Sequence, residues 1–268
     1  VPDPHHLARK LEVVEPRDEI LIAALADRAG IAVACDWTAA EAVWLATVGG
    51  GLPVYLLPAV ESVWHPADPA LQSRIVAGYR PEFDYIAPNR WTAAQLQAEA
   101  AWEVRRRIAP AIEPDAMSDD AERAIVTIGA GAGDRPAVDA VCASERFASI
   151  HLEADARPAE VAALRPRAVI LFAEQQSSLL PFALMSIGAV YLAPVDPRLG
   201  HEVLDGYNAL LFGRDDRDQL QRSLRDAITD DAVWTELRTN GHASASRAGK
   251  TALRATKDAL DEFSMASV

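Results

Sequence analysis

Short apolar runs separated by polar, helix-favouring stretches recur along this chain, and their spacing predicts alternating strands and helices. In the N-terminal part, residues 19–24, 31–35, 53–57 and 85–87 read as strands. Thr38-Ala39-Ala40-Glu41 and Thr92-Ala93-Ala94-Gln95 match the capping box, in which Thr and Glu or Gln satisfy each other's backbone donors. Helices are therefore expected to start at Thr38 and Thr92, the second running to Ala109 and stopping at Pro110. Residues 112–120 are polar, acidic and broken by Pro114, which reads as an interdomain linker. Beyond it the alternation is regular. Strands are expected at 125–128, 148–152, 168–172, 189–192 and 209–212, with helical segments such as 158–164 between them, the pattern of a parallel sheet with helical crossovers. Leu220, Leu224 and Ile228 recur at helical spacing behind Asp215, Asp216 and Asp218, which suit a helix N-terminus. Gly241 is expected to end the next helix. A last helix over 246–263 would put Leu253, Leu260 and Phe263 on one face.

The segment from Ser177 to Pro194 reads as loop, helix and strand. Ser177 and Ser178 are placed to cap the helix, Pro181 suits its first turn, and Gly188 suits a left-handed end. Such a helix start offers free N–H groups and a positive dipole end to an anion, although any α/β domain contains comparable units. Gly129-Ala130-Gly131-Ala132-Gly133-Asp134-Arg135 follows the first strand of the second half. A glycine-rich turn there brings backbone N–H groups close to a phosphate, and Arg135 is placed to pair with it. The spacing is neither the dinucleotide fingerprint nor a P-loop, and a plain strand-to-helix turn needs glycine too.

At 268 residues, half of them apolar, the chain has material for two cores. A net charge of −13 argues against a broad nucleic-acid or anionic-membrane surface, while leaving room for a local basic pocket. Cys35 and Cys142 lie in apolar surroundings and read as buried thiols of a reducing compartment, so a cytoplasmic location is expected. No apolar run reaches membrane-spanning length, no signal-peptide pattern opens the chain, and the chain begins at Val1 without Met. None of His5, His6 and His242 has a metal-ligand spacing partner. His65 follows Glu61 at i+4 and is a candidate for lining a cleft. The six tryptophans read as packing residues, Trp64 excepted.

Two segments resemble known enzymes. Leu180-Pro181 before a helix, Met185-Ser186-Ile187-Gly188-Ala189 at its end, and Gly200-His201-Glu202-Val203-Leu204-Asp205-Gly206-Tyr207-Asn208-Ala209-Leu210-Leu211-Phe212 are similar to the donor-binding region of two-domain, retaining, sugar-nucleotide glycosyltransferases. Asp36-Trp37-Thr38-Ala39, the aromatic strand at Tyr55, and Glu61 through Pro66 resemble the rhamnan-synthesis branch of that family, with Tyr79 and Trp91 where that branch has aromatics. The resemblance covers about residues 31–245.

It implies an α/β fold of GT-B type: two Rossmann-like units with mainly parallel sheets facing a cleft, the N-terminal unit truncated. The units are expected at 1–111 (acceptor side) and 121–245 (donor side), with a helix over 246–268 packing back on the first. It also implies transfer of a sugar from a nucleotide sugar to a saccharide acceptor in polysaccharide biosynthesis. The donor would be held by Gly131, Gly133, Arg135, Glu174, Gln176, Ser177, Ser178, Leu179 and Glu202. Glu61 and His65 would be catalytic on the acceptor side. No metal, other cofactor or nucleic acid is expected, and a protein partner is a candidate supplier of missing elements.

The departures point to weakened catalysis. Ala183 stands where the family has its ribose-binding Glu, Pro58-Ala59 replaces Gln-Asp, and the family's basic pair is reduced to Arg135. An Ala accepts no hydrogen bond from a ribose hydroxyl, a loss of about 1–3 kcal/mol. The competing readings are a non-catalytic domain of this type, kept for assembly or saccharide binding, and an unrelated nucleotide-binding α/β protein.

Overall fold

The computed structural model describes residues 30–109, 121–172, 179–199 and 202–266. The strand expected at 19–24 and the linker expected at 112–120 lie outside them. The described chain divides into two compact units, one of residues 30–87, 95–106 and 258–266, the other of 88–94 and 107–257. Among the described residues no helix is long and apolar enough to cross a membrane.

The first unit is built on a four-stranded sheet of order β1-β2-β3-β4: Ile31–Ala34, Leu52–Leu56, Asp84–Ala87 and Arg106–Arg107. β1, β2 and β3 run parallel, with Val33 opposite Val54 and Tyr55 opposite Tyr85. Helix α1 (Trp37–Thr47) follows β1, a 3-10 turn (Glu61–Trp64) and α2 (Pro69–Gly78) follow β2, and α3 (Arg90–Ala100) follows β3. The core is aromatic. The Tyr55 and Tyr85 rings stack at 5.8 Å, and Phe83 and Tyr79 meet Tyr55 edge-on at 5.4 and 5.8 Å.

Two helix starts differ from the sequence expectation. The α1 cap is Asp36, whose carboxylate accepts from the Thr38 and Ala39 N–H groups, and Asn89 takes the same role for Thr92. Asp and Asn accept without the χ1 restriction of Thr, so the cap moves upstream. Helix α3 also stops at Ala100, not Ala109. Ala101 turns left-handed (φ 62°), and the Trp102 indole donates to the Tyr79 carbonyl at 2.8 Å. That partly buried hydrogen bond and the half-buried ring outweigh the Ala-rich propensity that favoured a longer helix.

The second unit holds a fully parallel five-stranded sheet of order β6-β5-β7-β8-β9: Ala148–Leu152, Glu122–Ile128, Pro166–Leu171, Val190–Pro194 and Leu210–Phe212. Alternate residues serve opposite faces, as the two-residue strand period requires. Ile125, Ile170, Val190 and Leu192 pack with α4 (Arg135–Glu145) and α7 (Arg217–Thr229). Val126, Val169, Leu171 and Tyr191 pack with α5 (Pro158–Ala163) and α6 (Leu179–Ser186). With both faces covered the central strands are largely apolar, which is why the sequence shows them as short runs without alternation.

Helix α8 runs unbroken from Asp231 to Ala266. Gly241, expected to end a helix, sits inside it. A β-carbon there would stand 3.3 Å from the Asn208 carbonyl and 3.5 Å from the Met185 side chain, so this glycine serves a close approach. Of the apolar face expected for the last helix, Phe263 is buried but Leu253 is exposed, and Ala252 and Ala259 take the inward positions. Small residues allow the helix to lie close to what it covers. Cys35 is likewise exposed, contrary to expectation, while Cys142 is buried and both thiols are free. Burial pushes the Cys142 thiol up to about 11.

Candidate functional site

In the second unit the chain reverses its direction of travel across the sheet between β5 and β7, whose carboxyl ends lie side by side. Crevices at such reversal points are the binding places of open parallel sheets. Two of the expected donor-site segments leave from these strands: the glycine-rich turn after β5 and the start of α6 after β7. Glu174, Gln176, Ser177 and Ser178 lie outside the described residues. Leu179, the first residue of α6, is exposed.

The turn after β5 is held from within. Gly129 is left-handed (φ 68°), as a sharp exit from a strand requires. The Gly131 N–H points at the Asp134 carboxylate (3.3 Å), and the Gly131 carbonyl accepts from the N–H groups of Asp134 and Arg135. An acidic side chain thus stands where the sequence suggested a phosphate. Arg135 turns back on the same turn: its Nε donates to the Ala130 carbonyl at 3.1 Å, and its Nη2 lies 3.7 Å from Glu153, after β6. Its guanidinium therefore leans toward the β6 side of β5, away from β7.

Gly133 has a different neighbour. A β-carbon there would overlap Nη2 of Arg217, the first residue of α7. Arg217 has no hydrogen-bond or ion-pair partner among the described residues. Beside it, residues Gly213–Asp218 line an open pocket of about 620 Å³ in which Arg214 and Arg217 alternate with Asp215, Asp216 and Asp218. Asp216 is committed to capping α7 through the Gln219 N–H at 2.8 Å. Sequence reasoning missed Arg217, which no local pattern connects to Gly133. It also missed Asp134, whose side chain reaches back three residues to the Gly131 N–H, as the third helical residue of a capping box does.

Helix α6 offers no polar replacement at the ribose position. Ala183 is buried among Phe182, Leu184 and Met185, and Ser186 spends its hydroxyl on the Ala183 carbonyl at 2.8 Å. Glu202 is exposed at the start of a loop locked by Asn208, which donates to the Glu202 carbonyl and accepts from the Leu204 N–H, both at 2.7 Å. Among the described residues no three His, Cys, Asp or Glu side chains gather as metal ligands.

In the first unit Glu61 is 0 % exposed and its carboxylate is fully engaged. Oε1 accepts from the Trp37 N–H at 2.9 Å, and Oε2 from the Tyr55 hydroxyl at 2.5 Å and the Tyr79 hydroxyl at 3.4 Å. The Glu61 N–H in turn donates to the Tyr79 oxygen at 2.9 Å. Burial raises the Glu61 carboxyl above the ordinary carboxylate range, against the opposing pull of the Tyr55, Trp37 and Tyr79 donors. Burial and the Glu61 charge raise the Tyr55 and Tyr79 hydroxyls. The structure thus gives Glu61 no free oxygen and no access to solvent, although sequence reasoning placed it at the acceptor. His65, half-buried, closes the same turn, its N–H donating to the Ser62 carbonyl at 3.1 Å.

No family model matches the chain, and no curated protein matches it. Solved structures do. TarM of S. aureus superposes with a TM-score of 0.67 over 91 % of this chain at 8 % identity, and the chain spans 58 % of TarM. Anabaena HepE, solved with UDP-glucose, superposes with a TM-score of 0.66 over 90 % of this chain and 82 % of HepE at 13 % identity. Sucrose-phosphate synthase of Thermosynechococcus elongatus superposes with a TM-score of 0.62 over 88 % of this chain and 74 % of its own length at 11 % identity. Identities this low establish the architecture, and with its two mainly parallel α/β sheets the chain has the fold of the GT-B glycosyltransferases.

Proposed function

We propose that this chain is a GT-B glycosyltransferase of weakened catalysis, moving a sugar from a nucleotide sugar to a saccharide acceptor in polysaccharide assembly. The observation that carries the reading is the fold likeness to enzymes such as HepE, solved with UDP-glucose, taken together with the loops that leave the β5/β7 reversal point. The nucleotide would lie against Gly131, Gly133, Leu179 and the segment holding Glu174, Gln176, Ser177 and Ser178. Arg135 would swing from Glu153 to the diphosphate, an inexpensive move for a pair more than two-fifths exposed on both sides. Glu202 would be the nearest replacement for the missing ribose carboxylate. Charge developing on the leaving diphosphate would be stabilised by arginine and by the start of α6, with no metal needed. The sequence around Glu61 resembles the rhamnan-synthesis branch, and a cytoplasmic site of action fits the free thiols.

Weakness follows from three features. Ala183 accepts no hydrogen bond, Asp134 competes with an anion for the Gly131 N–H, and Arg135 is drawn away by Glu153. The first is a lost acceptor, the second adds the repulsion of a carboxylate beside a phosphate, and the third withdraws a cation, so each acts against donor affinity. The second reading, a non-catalytic domain kept for saccharide binding or assembly, draws on the same features. Thermal-shift titration with UDP and a panel of nucleotide sugars separates the two. Ligand at a hundred times its dissociation constant stabilises a protein by about 2.7 kcal/mol. Stabilisation by UDP with slow turnover of a UDP-sugar supports the transferase. Stabilisation by glycans alone, with none by any nucleotide, supports the binding domain.

A further inference from the structure

We propose that Glu61 is a positioning residue whose buried hydrogen-bond hub sets the turn carrying Trp64 and His65, leaving His65 as the group that meets the saccharide acceptor. This rests on the transferase reading for the word acceptor, but not for the coupling between Glu61 and His65. Four observations carry it. Glu61 is fully enclosed, so its oxygens reach no substrate. Its carboxylate gathers donors from three separate places: the first residue of α1, strand β2 through Tyr55, and Tyr79 after α2. Its own backbone N–H returns to the Tyr79 oxygen, so the side chain and main chain of one residue are clamped by the same hydroxyl. The turn that begins at Glu61 ends at half-buried Trp64 and His65, beyond the carboxyl end of β2.

A second anchor strengthens the clamp. The Ser62 hydroxyl donates to the Glu99 carboxylate of α3 at 2.5 Å, and its carbonyl accepts from the Gln72 amide of α2 at 3.2 Å. A short 3-10 turn has poor internal hydrogen-bond geometry, so external bonds of this kind decide where its end lies. A side chain held by such a surrounding shell can be placed closely enough for a contact with substrate.

The test uses the full chain labelled with 13C-histidine, the His65 ring signal being identified by its loss in His65→Gln. Glu61→Gln and the milder Tyr79→Phe are compared with the parent. The expected result is that both move the His65 ring signal. With a UDP-sugar and a saccharide acceptor, both raise KM for the acceptor, by about tenfold for Glu61→Gln, with a much smaller change in kcat. A His65 signal unmoved by either substitution overturns the proposal. So does a folded Glu61→Gln protein whose kcat falls about a thousandfold at unchanged acceptor KM while Tyr79→Phe is silent, since that is the signature of direct catalysis. If Glu61→Gln fails to fold, Tyr79→Phe alone decides. Absence of turnover by the parent strikes the transferase reading, while the His65 signal still decides the positioning.

Discussion

The two units stabilise similar parallel sheets by different chemistry. In the second unit both faces of the sheet are closed mostly by apolar side chains from α4, α5, α6 and α7, with no buried carboxylate among its described residues. In the first unit the centre is a stack of tyrosines that also carries a buried carboxylate and its donors. An apolar core is indifferent to pH and loses stability in proportion to the volume removed. A polar core depends on every donor and acceptor being matched, so small chemical changes there have large effects. The first unit is accordingly where sequence-like substitutions should be least tolerated.

The largest expected effect tests that contrast. Glu61→Ala leaves the Trp37 N–H and the Tyr55 and Tyr79 hydroxyls without their acceptor in the core, a cost of roughly 3–5 kcal/mol. Ile170→Ala in the second unit is expected to cost a similar amount, about 2–5 kcal/mol, through a cavity alone. Urea unfolding at two pH values separates the mechanisms, because only the Glu61 position should show a cost that changes with pH.

The next effect is that pH dependence. The folded Glu61 carboxyl sits above its ordinary value, so the folded state binds this proton more tightly than the unfolded chain does. The stability it contributes is full below the ordinary glutamate range and declines as pH rises through the raised value. Asp139 and Asp196 act in the opposite sense. The Ser149 hydrogen bond, aided by His151, lowers Asp139, and contacts from Arg198 lower Asp196 against the effect of its burial. Their contribution is present above the ordinary aspartate range and is lost on acidification. Thermal melts from pH 4 to 8 on the parent and Glu61→Gln should diverge as pH rises. Parallel melts would mean that the Glu61 hub does not titrate separately from the rest.

Backbone effects come next. Gly188→Ala forces a side chain into a left-handed position (φ 82°), costing about 1–2 kcal/mol. Gly133→Ala displaces only the tip of the flexible, exposed Arg217 and should change stability by less than about 0.5 kcal/mol. Its effect is expected instead on anion affinity, through the moved guanidinium. The smallest expected effect is that of Asp134→Asn, which removes the carboxylate facing the Gly131 N–H. It should tighten phosphate or UDP binding severalfold in a titration while leaving the melting temperature nearly unchanged.

The second unit was the more legible in the sequence, and the reason is the same contrast. Its central strands are largely apolar runs, and the Leu220, Leu224 and Ile228 face has a clean helical period, so pattern and burial coincide. In the first unit the deciding features are pairwise. The end of α3 depends on Trp102 reaching the Tyr79 carbonyl, and the place of Glu61 depends on three donors distant in sequence. No local pattern carries such bonds. Gly241 misled for a related reason, since a glycine that serves close approach looks the same in sequence as one that ends a helix. At the candidate site, the turn after β5 was legible from its glycines. That Asp134 fills it and that Arg217 crosses Gly133 are facts of assembled geometry.

The nucleotide site proposed at the β5/β7 edge of the second unit is expected to hold a nucleoside diphosphate only weakly. A titration of the 15N-labelled chain with UDP, followed by backbone amide NMR, tests it most directly. The expected result is shifts at Gly131, Gly133, Arg135 and Leu179, saturating only in roughly the millimolar range, with Asp134→Asn moving the curve to lower concentration. No shift at these amides at any UDP concentration, or shifts confined to another part of the chain, would contradict it.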